Sequence, residues 1–184
     1  MAERLELAPL GSVGPTSRSY WVVEGRFAAG AYPGEATRSE RPPEVVSDLL
    51  AAGIDTFVNL TEDDPSGPES FLNRYDDHVE GVAVVQRFSI VDASIPSVGH
   101  MVEILDLLDA TLAAGRNPYV HCWGGVGRTG TVIGCWLIRH GYTDSWNVGD
   151  ELGRLRVGDL EAGHRDSPQV SEQWEFVWSW REGQ

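Results

Sequence analysis

No lysine occurs anywhere in the chain, so every side-chain cation other than histidine is an arginine. Arginine is itself outnumbered, 14 against 28 acidic residues, for a formal net charge of −14 over 184 residues. An acidic chain without lysine offers no polybasic patch to an anionic lipid surface and repels the phosphate backbone of nucleic acids. Neither a membrane nor a nucleic acid is therefore an expected partner, and solubility accounts for most of the acids. Cysteine is scarce as well: Cys122 and Cys135 form neither a CxxC pair nor a zinc spacing, and they are poorly placed for a disulfide. Cys135, inside "TVIGCWLIRHG", reads as a buried helix residue. Cys122 needs a different account. Also missing is any apolar run approaching the ~20 residues that span a bilayer. The opening "MAERLELAPLGSVGPTSRSY" carries acids where a secretory leader has its apolar stretch. The expectation is a soluble, cytoplasmic, monomeric protein, with residues 1–19 as an N-terminal extension and 20–184 as a single domain. With 41% hydrophobic residues, that domain has the means to bury a core.

What is present alternates between two periodicities. "YWVVEGRFAAG" (20–30) predicts a β-hairpin turning at Glu24-Gly25. Residues 42–52 predict a helix started by Pro42 and Pro43 and stopped at Gly53, and 54–60 a buried strand. A helix over 68–80 and a strand over 82–90 follow, then a long amphipathic helix over 98–115 and a short strand, "PYVHC" (118–122). A glycine-rich turn leads into an apolar helix over 130–140, and two more helices, about 143–157 and 168–182, complete the chain. Trp174, Phe176 and Trp178 read as packing residues of the last helix. Strands alternating with helices predict an α/β fold, a central, mostly parallel twisted sheet flanked by helices, with ligands bound beyond the carboxyl ends of the strands. The turn at 122–129 lies at such an end.

That turn, "HCWGGVGRTG", admits two readings. Gly125, Gly127 and Gly130 have the spacing of a dinucleotide-binding fingerprint between a strand and a helix. That fold needs further strands, and no convincing apolar strand follows residue 141; the fingerprint also leaves His121, Cys122 and Arg128 without a role. A triphosphate-binding loop would need glycine at 122 and lysine at 128, where Cys122 and Arg128 stand. The second reading uses every residue. Glycines let the backbone curl into a nest of N–H groups continuous with a helix N-terminus, a ready anion site. Arg128 adds a planar fork matched to two phosphate oxygens. The same positive field would favour the nucleophilic thiolate of Cys122. Anion binding and nucleophile activation then come from one structure, which points to a phosphatase.

His121-Cys122, five residues, then Arg128-Thr129 is similar to the HCx5RT signature of cysteine-dependent protein tyrosine and dual-specificity phosphatases. The resemblance covers roughly residues 20–180: "YWVVEGRFAAGAYPG" and "FVNLTE" look like the entry hairpin and first strand of small dual-specificity-type enzymes, notably bacterial ones. It implies that Cys122 attacks phosphorus to form a cysteinyl-phosphate. Arg128 would hold the phosphoryl group over the loop formed by Trp123, Gly124, Gly125, Val126 and Gly127. Thr129 would hydrogen-bond the departing thiolate, and His121 would support the loop from behind. The mechanism demands a proton donor, and "RFSIVDASIPS" resembles the family's R-F-P-I-x-D-x-x-x-P pattern. Arg87, Phe88, Ile90 and Pro96 are in register, Ser89 replaces a proline, and Asp92 falls thirty residues before Cys122 as the implied general acid. Asp63 and Asp64 are the fallback donors. "SPQVSEQWEFV" resembles a C-terminal S-P-x-T-x-x-Q-x-x-F-V segment, with Val170 in place of threonine and Gln173 either orienting water or a loop, or structural. Trp123 either stacks on an aryl phosphate or packs under a neighbouring loop.

The resemblance implies a phosphorylated protein or peptide as substrate, phosphotyrosine first and phosphoserine or phosphothreonine also possible. No metal or other cofactor is called for, because the nest and Arg128 supply the positive field. The rival within enzymes is an inositol-phosphate or lipid phosphatase; the uncharged Trp-Gly-Gly-Val-Gly loop counts against a highly phosphorylated substrate. A rhodanese-type sulfurtransferase would leave Arg128, Thr129 and Asp92 idle. A rival of another class is a phosphate-binding module without turnover, which the trio Cys122, Arg128 and Asp92 opposes.

Overall fold

The computed structural model describes residues 4–34 and 42–184. Its centre is a five-stranded sheet built from β1 (Ser19–Val23), β2 (Phe27–Gly30), β3 (Thr56–Asn59), β4 (Val84–Arg87) and β5 (Pro118–His121), in the order β1-β2-β5-β3-β4. β1 and β2 form the expected antiparallel hairpin, with Gly25 at φ +68° in its turn. The β2–β5, β5–β3 and β3–β4 pairs are parallel. β2, β3 and β5 are buried along their whole length, as strands covered on both faces must be. Among the described residues no strand follows β5, so the further strands of a dinucleotide fold are missing where the sequence also lacks them.

The helices are α1 (Pro42–Ala51), α2 (Asp76–Val79), α3 (Val98–Ala113), α4 (Gly127–Arg139), α5 (Val148–Arg156) and α6 (Ser171–Ser179). α3 starts at Ser97, whose side chain accepts the His100 N–H. α4 is buried from Gly127 to Ile138, and Trp136 within it meets Phe27 edge to face at 5.1 Å. Both cysteines are free and buried, and burial pushes the Cys135 thiol well above its usual range, the inert state expected of a core cysteine. Residues 4–18 run against the body of the protein: Ala8 donates to Val22 O at 2.9 Å and the Tyr142 hydroxyl to Leu5 O at 2.6 Å.

Several boundaries differ from expectation, the strand over 82–90 being trimmed to Val84–Arg87, and four helices stand out. The helix predicted over 68–80 is only the single turn α2. Ahead of it the chain turns Glu69 inward instead, and Glu69 is 5% exposed. α4 begins at Gly127, so Arg128 and Thr129 belong to its first turn rather than to a preceding loop. α5 begins late because the Asp144 carboxylate accepts from the N–H groups of Trp146 and Asn147, holding the chain in an Asx turn. α6 is trimmed at both ends relative to 168–182, and Trp178 on it is 49% exposed rather than packed.

β3, β4 and β5 are parallel and their last residues are in register, Asn59 against both Arg87 and His121. The segments that follow them therefore leave the sheet at one end. Those are the segments that carry Glu69, Asp92 and Cys122.

Candidate active site

The turn 122–126 joins β5 to α4, and each of its carbonyls is tied to a donor. Cys122 O accepts from His121 Nδ1 (3.3 Å), Trp123 O from Tyr32 N (2.9 Å) and Gly124 O from Arg18 Nη2 (2.9 Å). Gly125 O accepts from Arg156 Nη1 (2.8 Å) and Val126 O from Ser167 Oγ (2.7 Å). In a trans peptide the carbonyl and the following N–H point opposite ways. With the carbonyls held outward, the N–H groups of Trp123 through Gly127 turn inward, and they meet the N-terminus of α4. That is an anion-binding nest.

The glycines of this turn answer to packing. Gly125 has φ +68°, and a Cβ there would lie 2.4 Å from the Gly30 carbonyl carbon. A Cβ at Gly130 would lie 2.0 Å from Ser167 Oγ, and one at Gly127 3.0 Å from Gln173 Oε1. The resemblance to a dinucleotide fingerprint is thus a shared backbone solution.

Cys122, 3% exposed, opens onto a cleft of about 340 Å³ also lined by Arg128, Asp92, Trp123 and Arg165. Arg128 is buried and forms a two-pronged ion pair with Glu69, Nη2 to Oε1 at 2.6 Å and Nη1 to Oε2 at 2.9 Å. Its Nη1 also donates to Ile90 O at 3.0 Å. Asp92 reaches the same guanidinium, Oδ1 to Nη2 at 2.9 Å, while half its side chain stays exposed. The neighbouring Ala93 has φ +55°, a left-handed conformation rare outside glycine, where the loop bends toward the cleft. Ser89, in the position of a proline, donates its hydroxyl to Thr61 O at 3.1 Å and so anchors the same loop. The fallback donors stand elsewhere: Asp63 pairs with Arg74 at 3.1 Å, Asp64 closes a turn on Ser66, and both line a separate cleft.

Residues 34–142, more than half of the chain and including Cys122, Arg128 and Asp92, match the family described as "Polymorphic toxin system, DSP-PTPase phosphatase". The chain belongs to the DSP-PTPase phosphatase family. It is 28% identical over 169 residues to the tyrosine-protein phosphatase cdc-14 of Caenorhabditis elegans, covering 86% of this chain and 21% of that protein. Against the dual specificity protein phosphatase CDC14B of Mus musculus it is 43% identical over 126 residues, 65% of this chain and 24% of the relative. The chain thus spans less than a quarter of the length of either. The crystal structure of Tk-PTP in its active form superposes with a TM-score of 0.59 at 27% identity, covering 83% of this chain and 88% of that one.

In this DSP-PTPase chain the remaining implied residues fall as follows. His121 is fully buried, its Nδ1 on Cys122 O and its Nε2 2.6 Å from the Tyr75 hydroxyl. A carbonyl can only accept, so Nδ1 carries the proton and Tyr75 donates to Nε2. Burial lowers the His121 pKa from 6.5 to about 3, with the cations Arg87 and Arg128 adding to the effect, so the ring is neutral and holds the loop from behind. Thr129 is buried in the first turn of α4, its hydroxyl donating to Gly30 O at a long 3.5 Å. Gln173 is buried under Gly127: its Oε1 accepts from Gln169 N (3.1 Å) and Val170 N (3.3 Å), and its Nε2 donates to Ser94 O (3.1 Å). It therefore joins the start of α6 to the loop that carries Asp92. Trp123 is 46% exposed at the rim of the cleft and meets Phe71 edge to face at 5.1 Å.

The neutral ring makes stability depend on pH. The unfolded chain binds a proton on this histidine below pH 6.5 that the folded one refuses until about pH 3. Stability therefore falls as pH falls through that window. Between pH 7 and pH 5 this group should remove about 2 kcal/mol of unfolding free energy, at ~1.4 kcal/mol per unit below 6.5. Urea titrations at the two pH values should show this drop, and a His121→Asn variant should show it diminished by that amount. An identical drop in both proteins would mean that His121 is not held neutral.

Glu69, Arg156, Arg18 and Tyr75 escape a reading of the sequence, and Ser167, although it opens the segment that resembles S-P-x-T-x-x-Q-x-x-F-V, gives no sign there of its bond to Val126 O. Each acts on the site from far along the chain. The one signal within reach was for Glu69: the segment after a parallel strand emerges at the ligand-binding end of the sheet.

Proposed function

We propose that this chain hydrolyses phosphate monoesters on phosphorylated protein side chains, phosphotyrosine foremost, through a cysteinyl-phosphate on Cys122. One observation carries the reading: Cys122, Arg128 and Asp92 share one cleft above a backbone nest whose carbonyls are tied outward. The thiolate of Cys122 attacks phosphorus, the ester P–O bond breaks, and the protonated Asp92 gives its proton to the leaving oxygen. The inward N–H groups and the Arg128 guanidinium offset the charge on the equatorial oxygens. Arg128 Nε is buried without an acceptor among the described residues, and a phosphate oxygen would supply one. In the second half Asp92 takes a proton from water, water oxygen bonds to phosphorus, and the S–P bond breaks. Thr129 lies in the first turn of α4, where its hydroxyl serves the departing thiolate; Gln173 keeps the Asp92 loop in register with the nest. A thiolate nucleophile is consistent with a reducing compartment such as the cytoplasm.

Two measurements test this reading. Hydrolysis of an aryl phosphate should persist in chelator. Asp92→Asn should slow alkyl phosphates about 10²-fold or more and activated aryl phosphates far less, because only a poor leaving group needs the proton. Equal losses on both substrates would assign the donor to another residue.

A further inference from the structure

The acidic composition makes one cation conspicuous. Arginines on this chain face twice their number of acids. Every other described arginine is engaged with a carboxylate, a carbonyl or a side-chain amide. Arg165 alone among the described residues has a guanidinium with no such partner, although Asp166 is its chain neighbour. It is exposed, and it lines the cleft of Cys122.

The backbone beneath it is fixed. Arg165 N donates to Ala162 O at 3.0 Å, and Gly163 N to Asp159 O at 2.8 Å. Two residues on, Ser167 Oγ clasps Val126 O of the phosphate-binding turn at 2.7 Å. The free cation is thereby carried on a segment bolted to the nest. Arg18 lies on the same cleft, but its Nη2 is committed to Gly124 O and its Nε faces Asp159 at 3.4 Å. Arg128 is committed to Glu69 and to the phosphate under attack. Among the described residues only Arg165 remains for a second anion.

We propose that Arg165 is a specificity-determining residue: it forms a second anion subsite that selects phosphorylated peptides carrying a further carboxylate or phosphate beside the phosphate to be removed. This rests on the phosphatase reading above and adds a preference to it. An exposed guanidinium gains at most a modest interaction in water, so the preference should be roughly three- to tenfold in kcat/KM and should shrink as salt is raised.

The experiment compares three phosphotyrosyl peptides of one backbone, flanked by alanine, by glutamate or by a second phosphotyrosine, with para-nitrophenyl phosphate as a probe too small to reach the subsite. Wild type should prefer both anionic peptides over the alanine peptide, mainly through KM. Arg165→Ala should remove that preference, Arg165→Glu should invert it, and Arg165→Lys should restore part of it, with the small aryl phosphate unaffected throughout. A preference only for the doubly phosphorylated peptide assigns the subsite to phosphate, and one only for the glutamate peptide to carboxylate. Equal losses on all four substrates, or an unchanged preference in Arg165→Ala, would overturn the proposal while leaving the phosphatase reading standing. Absence of turnover by the wild type on every substrate would instead defeat that reading.

Discussion

Replacing Cys122 by serine is expected to abolish turnover of an aryl phosphate, by a factor on the order of 10⁴ or more in kcat, with the fold unchanged. The exchange is nearly isosteric at a site only 3% exposed, so the core has no cavity to absorb. What changes is the nucleophile. A serine hydroxyl is far less acidic than a thiol and needs a base to attack phosphorus, and among the described residues none stands within hydrogen-bonding distance of it. His121 cannot serve, because its Nδ1 proton is on Cys122 O and its Nε2 accepts from Tyr75. The nest, Arg128 and Asp92 remain, so the variant should still bind a phosphopeptide, measurable by calorimetry. Rapid acid quench of the wild type should trap phosphate on the peptide containing Cys122 and on no other. Activity of Cys122→Ser within tenfold of wild type, or phosphate trapped elsewhere, would sink the mechanism.

The second large effect is expected at Glu69, a residue outside the motif. Its carboxylate holds Arg128 by two charge-assisted bonds and also accepts the Glu62 N–H at 2.8 Å. Glu69→Leu leaves a buried guanidinium short of its main counter-ion, for which roughly 3–5 kcal/mol of stability should be lost. Asp92 offsets part of this, since it meets Arg128 from the solvent side. The double variant E69L/R128M, which removes both charges, should recover most of that loss while remaining inactive. Glu69→Gln should keep the fold and lower kcat by at least tenfold, because one prong of the fork becomes a neutral hydrogen bond and the guanidinium loses its fixed plane. Chemical denaturation and phosphate release on the four proteins check both halves. If E69L and E69L/R128M were equally unstable, Glu69 would be serving the loop and not the arginine.

The contrast between these two sites shows what was legible and what was not. Cys122, Arg128, Thr129 and the glycines are contiguous, and a contiguous motif encodes its own backbone geometry: a strand end, a curled turn and a helix start. Asp92 was also within reach, because it follows a recognisable strand at a fixed remove from the cysteine. The segment 68–75 is not the helix that the sequence predicts, because Glu69 answers to a buried arginine far along the chain. Turning Glu69 inward breaks the helical pattern, and nothing near it in sequence announces that demand.

The alternation of strands and helices, the Cys122–Thr129 motif and the place of Asp92, its proposed acid, were thus legible in the sequence itself, since each depends on residues close along the chain. The tertiary structure alone decided who holds that motif in place. Strand order puts β5 between β2 and β3, and parallel pairing brings the ends of β3, β4 and β5 to one edge. Only then do Glu69, Tyr75, Arg18, Arg156 and Ser167 converge on the turn, and only then does Arg165 come to stand unpaired at its mouth. Those contacts span long stretches of chain, and a contact's partner is set by topology and packing, which no local window of residues contains.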